Sequence, residues 1–327
     1  MIHSFDAFVA AAAFVRAGGA PHACAFALGD GTVRFEDGAV VHAHDGAVLC
    51  AAPHPSGEGL VTGGDDGRLV WSVPAGATAL AETGGRWIDA VACSPETGLM
   101  AFAAGREAVV LDAKEPGFRR VFGHERVLTA LAFDPKGRRL AAATYGGALL
   151  WYARIADQKP QMLRYAGAHL ALAYSPDGRF LITAMQENAL HGWRLSDALD
   201  LRMGGYPAKP KSLAFFAKGS LLATSGAQGA VVWPFAGGSG PMGKEAVEIG
   251  ARQDGLVTAV TAAALGRRIA AGRDDGAIWT ADIGDQGAPE KTVRGESGVP
   301  VTALALSPDG KRLAYGLEDG EAGVIEV

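Results

Sequence analysis

The sequence predicts an all-β protein assembled from a repeated unit of short antiparallel strands. Three observations predict it. Glycine supplies 46 of the 327 residues, about twice the usual share of roughly 7%, and without a collagen period that means many tight turns. A proline-glycine turn recurs at regular intervals along the chain, and so does a glycine turn that leads into an aromatic. Hydrophobic residues make up 49% of the chain and charged residues 20%. This is enough apolar material for a large core, and it excludes disorder as a reading of the whole.

The first turn reads His54-Pro55-Ser56-Gly57, Ser94-Pro95-Glu96-Thr97-Gly98, Asp134-Pro135-Lys136-Gly137, Ser175-Pro176-Asp177-Gly178 and Ser307-Pro308-Asp309-Gly310. Degenerate copies stand at Ala217-Lys218-Gly219 and Leu265-Gly266. Proline presets φ for the turn, and glycine takes the left-handed position that closes a hairpin. Apolar runs such as RRLAAAT and RFLITAM follow these turns, so each turn joins two strands. A second turn comes about five residues later, as in LGDGTVRF, GGDDGRLVW, ATYGGALLW, SGAQGAVVW and AGRDDGAIW. Eight such units fit the chain at about 41 residues each. Phe35, Trp71, Leu111, Trp151, Trp193, Trp233 and Trp279 close seven of them, at spacings of 36, 40, 40, 42, 40 and 46. A period of roughly 40–45 residues is that of a four-stranded propeller blade.

The units resemble WD40 repeats in the Gly123-His124 element (weaker at His44 and His169), the Ser-Pro-Asp-Gly hairpin, the Asp-Gly turn and the closing tryptophan. No tryptophan precedes an aspartate: Ser72, Tyr152, Arg194, Pro234 and Thr280 stand there instead. Most units are also one residue short between turn and tryptophan, and Asn188 to Trp193 keeps the family interval. These departures bear on the buried His–Asp–Ser/Thr–Trp network of many relatives and leave the period untouched. The expected fold is therefore an eight-bladed β-propeller of four-stranded antiparallel blades, with seven blades as the alternative, formed by one domain over 1–327.

Each element follows in order. The innermost strands, A, are expected at 8–14, 47–53, 88–94, 127–133, 169–175, 211–216, 257–263 and 301–307, rich in Ala, Val and Leu. Val127, Thr129, Leu131 and Phe133 fall on one face of such a strand and Leu128, Ala130 and Ala132 on the other. Two apolar faces suit a sheet sandwiched between neighbours. Val40–Ala43 and Gln161–Tyr165 read as outer strands. The last unit has three strands and Ile2–Phe5 is spare, so pairing the two completes the last blade and removes a sheet edge. Segments 153–160, 235–245 and 282–290 read as outer loops, the second open to proteolysis.

Composition also excludes function classes. A net charge of −5 offers no overall basic field for nucleic acid. No run approaches 18 apolar residues, and the start lacks the basic flank of a signal peptide. Cys24, Cys50 and Cys93 sit in apolar runs without a CxxC pair, so reduced structural thiols in a cytoplasmic monomer are expected. His42 and His44 would share a strand face, yet no carboxylate or cysteine repeats beside them, so no metal and no cofactor is expected. Asp65-Asp66 and Asp274-Asp275 precede glycine in the repeated turn, where aspartate caps its own backbone. There is no GxSxG elbow, phosphate-binding loop or dinucleotide fingerprint.

The resemblance and the missing catalytic motifs imply a non-enzymatic scaffold that binds a protein or acidic peptide. The alternative is a propeller enzyme, hydrolase or lactonase-like, using an axial cavity. In the resembled family the face carrying the loops into strand A and out of the next strand of the blade, B, often binds partners. The matching positions here are Trp87, Arg106, Arg126, Tyr145, His169, Lys211, Arg252 and Arg273. Arginines and aromatics there suit an acidic segment, and Asp65, Glu187, Asp274 and Glu318 in the same turns oppose that charge.

Overall fold

The computed structural model describes residues 2–284 and 288–327. Part of the expected 282–290 loop, 285–287, therefore lies outside the described residues. Strand β1 is Ile2–Ser4. The first four-stranded sheet holds β2 (Val9–Ala17), β3 (Ala20–Leu28), β4 (Thr32–Phe35) and β5 (Val40–His42). The second holds β6 (Val48–Pro53), β7 (Leu60–Gly64), β8 (Arg68–Val73) and β9 (Gly76–Glu82). The third holds β10 (Ala90–Ser94), β11 (Leu99–Ala104), β12 (Glu107–Asp112) and β13 (Arg119–Gly123).

A six-stranded sheet follows, of β14 (Leu128–Phe133), β15 (Arg139–Tyr152), β16 (Gln161–Tyr174), β17 (Phe180–Met185), β18 (Ala189–Arg194) and β19 (Leu199–Met203). The next holds β20 (Leu213–Phe216), β21 (Leu221–Thr224), β22 (Ala230–Pro234) and β23 (Val247–Ile249). Then come β24 (Val257–Ala262), β25 (Arg268–Arg273), β26 (Ile278–Asp282) and β27 (Glu290–Arg294). Last are β28 (Val301–Leu306), β29 (Arg312–Leu317) and β30 (Glu321–Glu326), in the order β1-β30-β29-β28. No α-helix occurs among the described residues; Ala217–Gly219 forms a single 3-10 turn.

The result is an all-β propeller of antiparallel sheets, and among the described residues these number seven, the alternative count, not eight: six are four-stranded, as expected of a blade, and one is six-stranded. The physical reason lies in β15 and β16, each 14 residues long. Two turn-bearing units share these strands and so merge into one hydrogen-bonded sheet. The spare N-terminal segment pairs as expected, with Ile2 opposite Gly323, His3 opposite Ala322 and Ser4 opposite Glu321. The strands fall into two compact units, one of residues up to Val9 with Ala173–Val327, the other of Ala10–Leu172.

Local chemistry explains the repeated hairpin. Gly178 has φ +70°, and its amide donates to the Ser175 carbonyl at 2.8 Å. Asp177 accepts the Ser175 hydroxyl at 2.6 Å and the Arg179 amide at 3.0 Å, while Ser175 Oγ accepts the Phe180 amide at 2.9 Å. Ser307, Asp309 and Arg312 repeat the arrangement. Serine and aspartate thus satisfy the backbone groups that the turn leaves without strand partners.

Both faces of a sheet are consumed by packing. In β11, Leu99, Ala101 and Ala103 pack with Leu128, Leu140 and Trp151. Met100, Phe102 and Ala104 point the other way, toward Val61, Leu69 and Ile88. The period-two alternation thus serves two neighbouring sheets. Glycine makes close approach possible: a Cβ at Gly272 would lie 2.5 Å from Val301 Cγ1.

The segment 235–245 differs from the open loop expected of it. Arg179 Nη1 and Arg194 Nη1 donate to the Gly237 and Gly238 carbonyls at 3.1 Å. Phe235 is buried and packs edge-on against Phe180 at 5.5 Å. Glycine and serine suggested freedom, whereas two distant arginines and one phenylalanine tie the loop down.

Candidate functional site

The chemistry-bearing residues divide into a buried set that holds loops and an exposed set that faces solvent. In the second sheet, His44 Nδ1 lies 3.0 Å from Asp66 Oδ1 and its Nε2 lies 2.8 Å from Thr62 Oγ1. His44 is buried because β5 ends at His42, so the two histidines do not share a face as expected; His42 is exposed. Asp66 also accepts the Asp45 amide, the Arg68 amide and the Arg68 guanidinium. Burial pushes its carboxyl up, and these four donors outweigh it, holding it down at about 2.

Three members of the His–Asp–Thr–Trp network are therefore present, and the fourth is not. Thr62 pairs with Val70, which leaves Trp71 one residue on and on the opposite face. Its indole donates to the Glu58 carbonyl at 2.7 Å instead. The missing residue between turn and tryptophan is what flips the ring. The Thr62–His44–Asp66 chain superficially matches a nucleophile, base and orienter. Thr62 has no exposed surface and its hydroxyl points back to the Val70 carbonyl at 3.4 Å, so no reacting atom can approach it.

In the sheet of β20–β23, Tyr206 takes the histidine's place. Its hydroxyl lies 2.7 Å from Thr224 Oγ1 and accepts the Trp233 indole at 2.7 Å. Burial pushes that phenol up to about 12, so it stays a neutral hydrogen-bonding group. Nothing in the sequence pattern singled out Tyr206, because it lies outside every repeated motif.

Two members of the expected docking set are buried. His169 has no exposed surface, and its Nε2 lies 3.1 Å from the Tyr165 carbonyl. Arg273 has none either: its guanidinium donates to the carbonyls of Gln228 at 2.8 Å and Asp254 at 2.5 Å. Neither side chain can meet a partner. A polar residue after a B strand looked like a surface group, but the incoming loops cover it and use it as a donor.

The others are exposed. Trp87 is 62% exposed and Tyr145 56%. Trp87 precedes β10, and its neighbour Ile88 enters the core instead. Arg86 pairs with Glu107 at 2.9 Å, and the Arg106 carbonyl accepts the His124 amide at 2.9 Å. The Arg126 amide donates to His124 Nδ1 at 3.1 Å, and its guanidinium lies 4.8 Å from the Tyr145 ring centroid. Trp87, Arg106, Arg126 and Tyr145 thus lie along a connected line of exposed positions within the unit Ala10–Leu172. Lys211 and Arg252 belong to the other unit, where Arg252 pairs with Glu296 at 3.0 Å.

Of the opposing acids, Asp274 is occupied in its turn. Asp274 accepts the Leu256 amide at 2.9 Å, and its neighbour Asp275 accepts the Ala277 amide at 2.9 Å. Among the described residues no cluster of three His, Cys, Asp or Glu side chains could hold a metal ion.

Beside Arg126 and Tyr145 lies a cleft of about 820 Å³ that the sequence did not reveal. Its lining adds His124, Leu149, Pro160, Met162 and Arg164. Arg164 sits on β16, an outer position that carries no motif.

The family model described as WD domain, G-beta repeat matches residues 36–71, the segment containing His44, Thr62, Asp66 and Trp71. The chain is 35% identical over 96 residues to WD repeat-containing protein 90 of Mus musculus, a match that takes in 27% of this chain and 5% of that protein. The crystal structure of the computationally designed Ika8 protein superposes with a TM-score of 0.78 at 20% identity, covering 99% of this chain and 98% of that one. The second likeness supports the fold alone.

Proposed function

We propose a function from one premise: the chain belongs to the WD40-repeat β-propellers. On that premise it is a protein-interaction scaffold without catalysis, and its partner is a protein or an acidic peptide. The observation that carries the reading is the exposed line of Trp87, Arg106, Arg126 and Tyr145. A 62% exposed tryptophan is costly to leave in water and is the residue type that anchors interfaces. Arginine beside aromatics supplies paired, charged hydrogen bonds to carboxylates. Cys50 and Cys93, whose thiols form no disulfide, favour a reducing compartment such as the cytoplasm.

The test is affinity capture with the purified chain, its Trp87→Ala/Arg106→Glu variant and a Val247→Asp variant on the edge strand β23. The same proteins should be recovered with the wild type and with Val247→Asp, and lost with the double variant. Recovery at wild-type yield by the double variant would sink the assignment of this surface.

A further inference from the structure

We propose that the cleft between Arg126 and Arg164 binds an acidic, partly apolar segment of a partner protein, a site that shares Arg126 and Tyr145 with the exposed line above and extends past it to Arg164. The inference rests on the scaffold reading and gives that partner its chemistry.

The first observation is charge. Residues 106–164 contain eleven Lys and Arg against six Asp and Glu, a net of +5 inside a chain of net −5. The remainder accordingly carries nineteen against twenty-nine, a net of −10. So steep an asymmetry concentrates positive potential over one region and steers an anionic ligand toward it.

The second is pairing. Arg154 is held by Asp112, Arg179 by Asp177 and Arg268 by Asp282. Among the described residues, by contrast, no carboxylate lies within ion-pair distance of Arg126 or Arg164. Glu125 is the single acid in the lining. Both guanidinia are thus available to a carboxylate in the forked geometry that arginine favours.

The third is preorganisation. Tyr145 stacks on Arg126 at 4.8 Å and takes up part of its rotamer freedom before any ligand arrives. Leu149, Met162 and Pro160 give the cleft an apolar floor. About 820 Å³ suits a few side chains of an extended segment rather than a folded domain. Acidic residues on the arginines and an apolar one on Met162 satisfy both parts of the lining.

The probe is a fluorescein-labelled, end-blocked Glu-Glu-Leu-Glu-Glu peptide, read by fluorescence polarisation between about 50 and 200 mM salt. Binding should weaken with salt. It should fall at least tenfold in Arg126→Glu/Arg164→Glu and severalfold in Tyr145→Ala. A control variant, Arg119→Glu/Arg138→Glu, makes the same charge change outside the cleft and should bind within twofold of wild type. Equal loss in the control would mean diffuse attraction and overturn the site, as would undiminished binding by the cleft variant. Preferential binding to phosphatidylserine vesicles through the same two arginines would overturn it in favour of a membrane. If captured proteins still depend on Trp87 and Arg106 while the peptide fails to bind, the cleft falls and the scaffold reading stands.

Discussion

Asp66 couples the folded state to pH. Its carboxyl is held at about 2 against an ordinary 3.8, so the folded state binds its proton less readily than the unfolded chain does. The stability this contributes is fully present above pH 3.8 and is lost as pH falls through about 2. Wild type should therefore lose resistance to urea between pH 4 and 2, and Asp66→Asn should lose markedly less over that window. Equal slopes in the two proteins would show that the network contributes nothing to acid stability. Arg273 makes the complementary case, a buried cation whose partners are mainly carbonyls. Arg273→Ala leaves the Gln228 and Asp254 carbonyls without their donor and should cost about 3 kcal/mol in denaturant unfolding. A loss under about 1 kcal/mol would mean that water replaces the guanidinium readily. Cys50 and Cys93 belong to the same scale: burial pushes both thiols up to about 12. Folded protein should react far more slowly with a thiol reagent at pH 8 than urea-unfolded protein does.

Among the elements, β1 and the B-strand glycines carry the sharpest tests. β1 covers the hydrogen-bonding edge of β30 through three residue pairs, and the Phe5 amide adds a bond to the Gly320 carbonyl at 3.0 Å. Removing residues 1–6 uncovers that edge and should lower the melting temperature by several degrees, with increased self-association. An unchanged melting temperature would show that the edge needs no cover. Gly316 lies against the start of β2, where a Cβ would stand 2.4 Å from Val9 Cβ. Gly316→Ala should therefore destabilise by about 1–3 kcal/mol through overpacking. The strand pattern itself was readable because hairpin turns and alternation are local: the expected A strand at 257–263 became Val257–Ala262, and 301–307 became Val301–Leu306. The merging of two units through β15 and β16 was not readable. Whether the strand run continues past Tyr145 and Gly167 depends on partners from other segments.

On the scale of the whole molecule, the apolar clusters are shared between neighbouring sheets. The cluster around Leu99, Leu128 and Trp151 draws on β10 to β15, two sheets at once. A peptide of residues 87–125 should accordingly show no cooperative thermal transition in isolation. A folded spectrum with a sharp melt would mean that a single blade is self-sufficient.

The sequence by itself determined the all-β class, the period of about 41 residues, the turns, the A strands and the pairing of the N-terminal segment with the last blade. Each follows from spacing and turn chemistry within a few tens of residues. Only the tertiary structure decided which polar residues are buried. Arg106, Arg126 and Arg273 look alike as arginines beside turns, yet loops from residues 228 and 254 close over Arg273 while Arg126 stays open on Tyr145. It also brought Arg164 from an outer strand to Arg126 across about forty residues. Burial and juxtaposition depend on which distant segments arrive at a place, and a one-dimensional pattern does not encode that for side chains outside the repeated motif.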